Sequence, residues 1–285
     1  MSIHGRMLAA VTMLALTACG GPPPAPAPAS SPAPPPVEKT VESAPAATTT
    51  PGATTTPGAT TPGAAPPVIQ HGLRDAGKVA LTFDADMTDA MKARLRRGTV
   101  SSYANLRLLS MLERRRIPAT FFVTGQWAEQ YPDVTRRIAG NPRFEIANHS
   151  YEHAAFTGDC YNLPRLAPGD MTGDVAKTFE TLLPYGGRQT RYFRFPGLCH
   201  DRAALRALAP LGVTVVDGDV VSGDPFARGA APVVDAVLSQ VKPGSIVVMH
   251  VTEANARYTD DALPAILAGL KRRNLQPVAL SELIS

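Results

Sequence analysis

What this chain has little of narrows its reading first. It has no apolar run of the roughly 20 residues that a membrane-crossing helix requires, and the stretch from Met7 to Leu16 is about half that length. Its formal charge is only +4 and it carries no recognition motif for DNA or RNA, so nucleic acid is not expected as a partner. From Pro22 to Pro67 there is no aromatic residue, and the only charges are Glu38, Lys39 and Glu42. Such a segment cannot bury enough apolar surface to offset its ordering entropy and is expected to be disordered. The His-Glu-x-x-His pattern is also missing, although Glu152 stands beside His153, which removes the main support for a helical metalloprotease site.

What is present begins with an export signal. Arg6 supplies a short positive region, Met7 to Leu16 an apolar core, and small residues lead to Cys19. Leu16-Thr-Ala-Cys19 resembles the lipobox of bacterial lipoproteins. That resemblance implies a signal peptide over residues 1–18 and a lipidated Cys19 that anchors an exported protein to the bacterial membrane, in the periplasm or at the cell surface. Each buried methylene of such a lipid contributes about 0.8 kcal/mol. Residues 19–67 then read as a tether. Fifteen of the 28 prolines lie between Pro22 and Pro67, so its first half is expected to be stiff and extended, and the Thr-Thr-Pro-Gly-Ala repeats looser. Residues 68–285 suffice for one large domain with a single core, expected as a monomer.

Within that domain, Val79-Ala-Leu-Thr-Phe-Asp-Ala-Asp86 is the organising stretch. Five residues of strand-forming character stop at two carboxylates, Asp84 and Asp86. On its own this is as good a helix cap as a catalytic pair. Further strands are expected at 119–123, 144–147, 192–195, 213–216, 245–249 and 277–280. Helices are expected between them at 102–115, 126–139, 170–183, 201–209, 231–241 and 260–273. Seven strands alternating with helices predict a parallel sheet under helical cover, nearer a (β/α) barrel than an open sheet.

Polar residues then gather at the expected strand ends: Asp84 and Asp86, His149 and His153, Arg194 with Gly197, Asp217, Asp219, Ser222 and Asp224, and His250. Carboxyl ends of parallel strands share a face, so all of these are expected to converge. His149 and His153 are four apart and fall on one side if the chain turns helically there. With one carboxylate they offer a His₂-carboxylate set for a catalytic divalent metal.

Thr82-Phe-Asp-Ala-Asp86, His149-Ser-Tyr-Glu-His153, Arg194-Phe-Pro-Gly197, Asp219-Val-Val-Ser-Gly-Asp224 and Ile246-Val-Val-Met-His250 resemble, in order, the five motifs of the polysaccharide deacetylases. These metal-dependent carbohydrate esterases remove N- or O-acetyl groups from glycans on a distorted, incomplete (β/α) barrel. The resemblance implies Asp84 as general base and Asp86, His149 and His153 as ligands of one divalent ion, zinc first, with cobalt or nickel open. It implies Arg194 as the group that orients Asp84, Asp224 as the partner of His250, the general acid, and Gly197 as an oxyanion donor. The expected partner is an acetylated polysaccharide. A silent carbohydrate-binding lipoprotein on the same fold and an O-acetyl esterase of the xylan type are the alternatives.

Three departures from the family pattern stand out. Ala85 separates aspartates that are usually adjacent, Gly197 and Leu198 stand where an aromatic usually follows the proline, and Pro225, with Phe226 next to it, replaces the usual tryptophan. The second and third reshape the acetyl pocket and leave the substrate open. Cys160 and Cys199 remain; in an exported domain an even pair reads as a disulfide, here between two loops that border the groove.

Overall fold

The computed structural model describes residues 64–75 and 77–285; the expected signal peptide, Cys19 and most of the expected tether lie outside the described residues. In chain order the elements are β1 (Val68–Ile69), β2 (Lys78–Ala85), α1 (Asp89–Arg96), α2 (Leu106–Arg114), β3 (Ala119–Val123), α3 (Gly125–Gln130) and α4 (Pro132–Ala139). There follow β4 (Phe144–Asn148), α5 (Met171–Leu182), β5 (Arg188–Phe193), α6 (Arg202–Leu208), β6 (Thr214–Val216) and β7 (Val220–Val221). The chain closes with α7 (Ala230–Gln240), β8 (Ile246–His250), α8 (Thr259–Arg272), β9 (Gln276–Val278) and α9 (Leu280–Ile284).

The strands form one sheet in the order β1-β6-β5-β4-β3-β2-β8-β7, and β9 pairs with the start of β2. Every pairing between these strands is parallel. Among the described residues nothing joins β1 to β7, so the sheet curls without closing. The architecture is the expected distorted, incomplete (β/α) barrel, with two short strands beyond the seven anticipated.

Strand alternation builds the barrel's two faces. On β2, Val79, Leu81, Phe83 and Ala85 face the helices and join a core with Leu108, Trp127, Leu263 and Ile266. Ala80 faces inward with Phe122, Ala147, Val216 and Ile246. Both faces are covered, so β2 reads as a continuous apolar run rather than an alternating one. The inward positions of β2 and β8 pair as Ala80 with Ile246, Thr82 with Val248 and Asp84 with His250. The apolar inner layer thus gives way to polar groups at the carboxyl end.

Helix boundaries differ from expectation where side-chain chemistry intervenes. The expected helix 126–139 is two, because Pro132 restricts Tyr131 to φ −126°, ψ 60° and restarts the chain as the first residue of α4. The helix expected from 102 begins at Leu106, where the Asn105 side chain caps it by accepting the Leu108 N–H. α1 was not expected. It is capped by Thr88 and buries only Met91, so it lacks an apolar stripe that periodicity could reveal. The strand expected over 277–280 ends at Val278, and Leu280 opens α9.

Candidate active site

Asp84 and Asp86 are two residues apart on an extended chain, so both point to the barrel interior while Ala85 packs among the helices. The inserted alanine is therefore what keeps the two acids on one face. Thr252 pins this segment: its hydroxyl accepts the Asp86 N–H at 3.0 Å and lies 3.3 Å from the Asp84 carbonyl, to which it donates.

His149 follows β4 and is buried, and its Nδ1 lies 2.9 Å from the Arg194 carbonyl. That contact fixes Nδ1–H as the donor and leaves Nε2 free to act as a ligand. His153 does not reach the site by a helical turn. Ser150 and His153 both sit at positive φ, 68° and 56°, and the His153 N–H bonds back to Ser150 Oγ at 3.1 Å. The chain corners twice, and the imidazole centroids still come within 5.0 Å. Asp86 Oδ1 lies 3.5 Å from His149 Nε2 and 3.4 Å from His153 Nε2, and among the described residues no group donates a hydrogen bond to it. These separations are long for hydrogen bonds. They fit donor atoms placed about 2.0–2.1 Å from one tetrahedral ion, which lie about 3.4 Å apart. An orphaned buried carboxylate oxygen facing two imidazole nitrogens fits a divalent metal.

The remaining acids make conventional bonds. Asp84 Oδ1 accepts from Arg194 Nη1 at 2.6 Å. Arg194 is fully buried; it also donates to Thr82 Oγ1 and the Val216 carbonyl, and its guanidinium lies over the Phe122 ring. On the far wall, Asp224 accepts from His250 Nδ1 at 2.7 Å, the His250 N–H at 2.8 Å, Ser222 Oγ at 2.9 Å and Thr259 Oγ1 at 2.6 Å. His250 Nε2 is left facing the cavity, 3.8 Å from Asp86 Oδ2.

Environment sets the charges. Burial works to raise Asp86, but the imidazoles of His153, His250 and His149 outweigh it and hold the carboxyl well below the usual range. Burial dominates at His153 and lowers it to about 4 despite Asp86. At His250 burial is outweighed by Asp224 and then Asp86, which raise it to about 10. At neutral pH Asp86 is thus ionised and His153 neutral, the forms that bind a metal, and His250 carries a proton.

Not every expected residue converges. Gly197 does, at φ 63°, where a Cβ would come within 2.6 Å of Cys160 Sγ and 2.9 Å of Tyr161. Asp217 instead bonds His200 Nε2 at 3.0 Å. Asp219 is held by Arg74 and by the Ile246 N–H at the start of β8, the opposite end of the barrel. β7 carries the chain upward between Asp219 and Asp224, so one motif spans both ends. Cys160 and Cys199 are joined by a disulfide. Thr252, Thr259 and Tyr161 went unremarked in the sequence, since a lone hydroxyl or exposed aromatic carries no local signal. The cavity between these groups measures about 210 Å³. Larger hollows, of about 570, 810 and 330 Å³, hold no comparable donor set among the described residues, so chemistry rather than size marks the site.

Comparison with known proteins points the same way. A family model described as polysaccharide deacetylase matches residues 72–216, which include Asp84, Asp86, His149, His153, Arg194 and Gly197. A chitooligosaccharide deacetylase of a Bradyrhizobium species is 27% identical over 190 residues, covering 62% of this chain and 82% of that protein. A peptidoglycan-N-acetylglucosamine deacetylase of Bacillus cereus is 27% identical over 178 residues, 62% of either protein. In fold, the crystal structure of a peptidoglycan N-acetylglucosamine deacetylase superposes with a TM-score of 0.63 at 23% identity, over 76% of this chain and 92% of that one.

Proposed function

The chain belongs to the polysaccharide deacetylase family and is a deacetylase, and on that premise we propose that it removes N-acetyl groups from a cell-wall or extracellular polysaccharide. The observation that carries the reading is the orphaned Asp86 Oδ1 facing the Nε2 atoms of His149 and His153. Those three residues would hold one divalent ion, zinc in preference to cobalt or nickel. When bound, the ion polarises the acetyl carbonyl and makes an adjacent water more acidic.

The other groups move protons and bind charge. Asp84, aimed by Arg194, takes the proton from the attacking water. The Gly197 N–H donates to the oxygen on which negative charge develops. His250, held by Asp224 through Nδ1, presents a protonated Nε2 to the departing amine and completes its release. The acetylated glycans named for the two relatives support this choice of substrate.

The protein acts at the bacterial envelope as an exported monomer, anchored by lipid on Cys19, with residues 19–67 giving reach from the membrane. Acetate release from N-acetylated chitin oligomers, peptidoglycan and acetylated xylan, with and without a chelator, tests the reaction. Release from the N-acetylated glycans that stops on chelation supports it, and equal release from fully chelated protein refutes it. Cys19→Ala should move the protein from the membrane to the soluble fraction, and unchanged membrane association would refute the anchor.

A further inference from the structure

Two of the most exposed large apolar side chains stand at the rim of the catalytic cavity. Tyr161 is 66% exposed and Phe226 is 73% exposed, and both line the space that also holds Asp84, His149 and His250. Their rings stack on each other with centroids 5.8 Å apart and planes 28° apart. Aromatic rings this exposed contribute little to the core, yet these two are held in place from several directions.

Tyr161 directly follows Cys160, whose disulfide to Cys199 ties its loop to the turn after Arg194. Tyr161 and Asn162 both adopt positive φ, 49° and 58°, which turns the chain sharply and aims the ring across the groove. The ring edge lies so close to Gly197 that a Cβ there would come within 2.9 Å of it. Phe226 comes from the other wall, on the short turn Asp224–Phe226 that also carries the partner of His250. The stack therefore bridges the loops behind the proposed oxyanion donor and the proposed acid.

We propose that Tyr161 and Phe226 form an aromatic platform that binds a pyranose ring of the glycan beside the sugar being deacetylated, so that the enzyme prefers oligomers to single sugars. A pyranose has an apolar C–H face and a rim of hydroxyls. The cavity lining offers both characters, apolar at Tyr161, Phe226 and Val221 and polar at Asn255 and the buried acids. Aromatic faces left open to water suit such a ring, and the charged groups of the same cavity would be left unsolvated by a purely apolar ligand. The disulfide acts as a positioning element, because it fixes the residue next to Tyr161. This inference rests on the glycan substrate proposed above.

Titration calorimetry of the full chain with a hexamer of N-acetylglucosamine and with the monosaccharide tests the platform separately from catalysis. The wild type is expected to bind the hexamer more tightly than the monosaccharide. Removing a ring that covers roughly 60 Å² of sugar should weaken hexamer binding about tenfold in Tyr161→Ala and in Phe226→Ala. Tyr161→Phe and Phe226→Tyr should bind as the wild type does. In turnover, the alanine variants should raise KM for the hexamer with kcat held. The two residues lie on separate loops, so a local disturbance in one variant leaves the other as an independent test.

A wild type that does not bind the hexamer, or alanine variants that bind it as tightly as the wild type, would overturn the platform. Stack-dependent binding without acetate release would refute the hydrolytic reading and leave the platform standing. Acetate release with binding indifferent to both alanine changes would do the reverse.

Discussion

Asp86 and Asp224 are both buried carboxylates beside a histidine, and their surroundings are opposite. Asp224 is saturated: four donors lie within 2.9 Å, two of them from His250 itself. Asp86 Oδ1 receives no hydrogen bond from the described residues, and its nearest imidazole nitrogens stand 3.4–3.5 Å away. A saturated acid can only orient and hold charge, because its lone pairs are occupied. An unsatisfied one facing two imidazole nitrogens is costly unless a cation completes it. Hydrogen-bond satisfaction therefore separates the carboxylate that positions from the carboxylate that binds, where residue type does not.

The largest effect should come from breaking the unsatisfied corner. His149→Ala is expected to lose the ion and reduce acetate release at least about 10³-fold, since the ion's charge stabilisation amounts to several kcal/mol. Elemental analysis of the purified variant checks the cause. Retained metal with normal turnover would remove the distinction between the two corners.

Next comes the pair Asp84 and Asp86, which alternation places on one face but which have different neighbours. Asp84→Asn can still accept the Arg194 N–H yet cannot take a proton from water, so the ion should stay while rate falls about 10²–10⁴-fold. Asp86→Asn should bind the ion poorly. Metal content of both variants decides it, and a metal-free Asp84→Asn beside a loaded Asp86→Asn would exchange their roles.

The disulfide ties together loops beside the site. Replacing Cys160 and Cys199 by serine reopens a loop of sequence separation 39. The chain-entropy model puts this at roughly 3–4 kcal/mol, a fall in Tm of about 10 °C for a domain of this size. An unchanged melting curve would show that the bridge leaves stability untouched.

The smallest effect concerns the loop between His149 and His153, the two proposed ligands. Asp174 Oδ1 accepts the Tyr151 N–H at 2.8 Å, and burial pushes its carboxyl up to about 6 from the ordinary 3.8. Between those values the folded chain holds a proton that the unfolded chain has released. Stability from this group is therefore present at low pH and lost as pH rises from about 4 through 6. Asp174→Asn keeps an acceptor for Tyr151 and should raise Tm by a few degrees at pH 7 while matching the wild type near pH 4. A gain of the same size at both pH values would assign the effect to something other than this ionisation.

Much of the site was legible because its signals are local. A strand alternates with period two, so the Asp84–Asp86 spacing already placed both acids on one face, and the apolar run of β2 marked that strand as covered on both sides. The pairing of His149 with His153 was likewise visible in their spacing, although the chain brings them together through two left-handed corners. Asp217 and Asp219 mark the limit. They stand close to Asp224 in the chain, but the turn before β7 leaves Asp219 at the far end of the barrel.

By itself the sequence determined the order of seven of the strands and most of the helices between them, and the short list of acids and histidines available for chemistry. These follow from spacing within a few residues, where backbone geometry leaves few choices. Tertiary structure alone decided which acids share the cavity, which of them is left unsatisfied, and that Thr252 and Thr259 serve this site. It also decided that Tyr161 meets Phe226. Those pairings join residues tens to more than a hundred positions apart. Separations of that kind are fixed by how the sheet curls and how its helices pack, and no short stretch of chain encodes them.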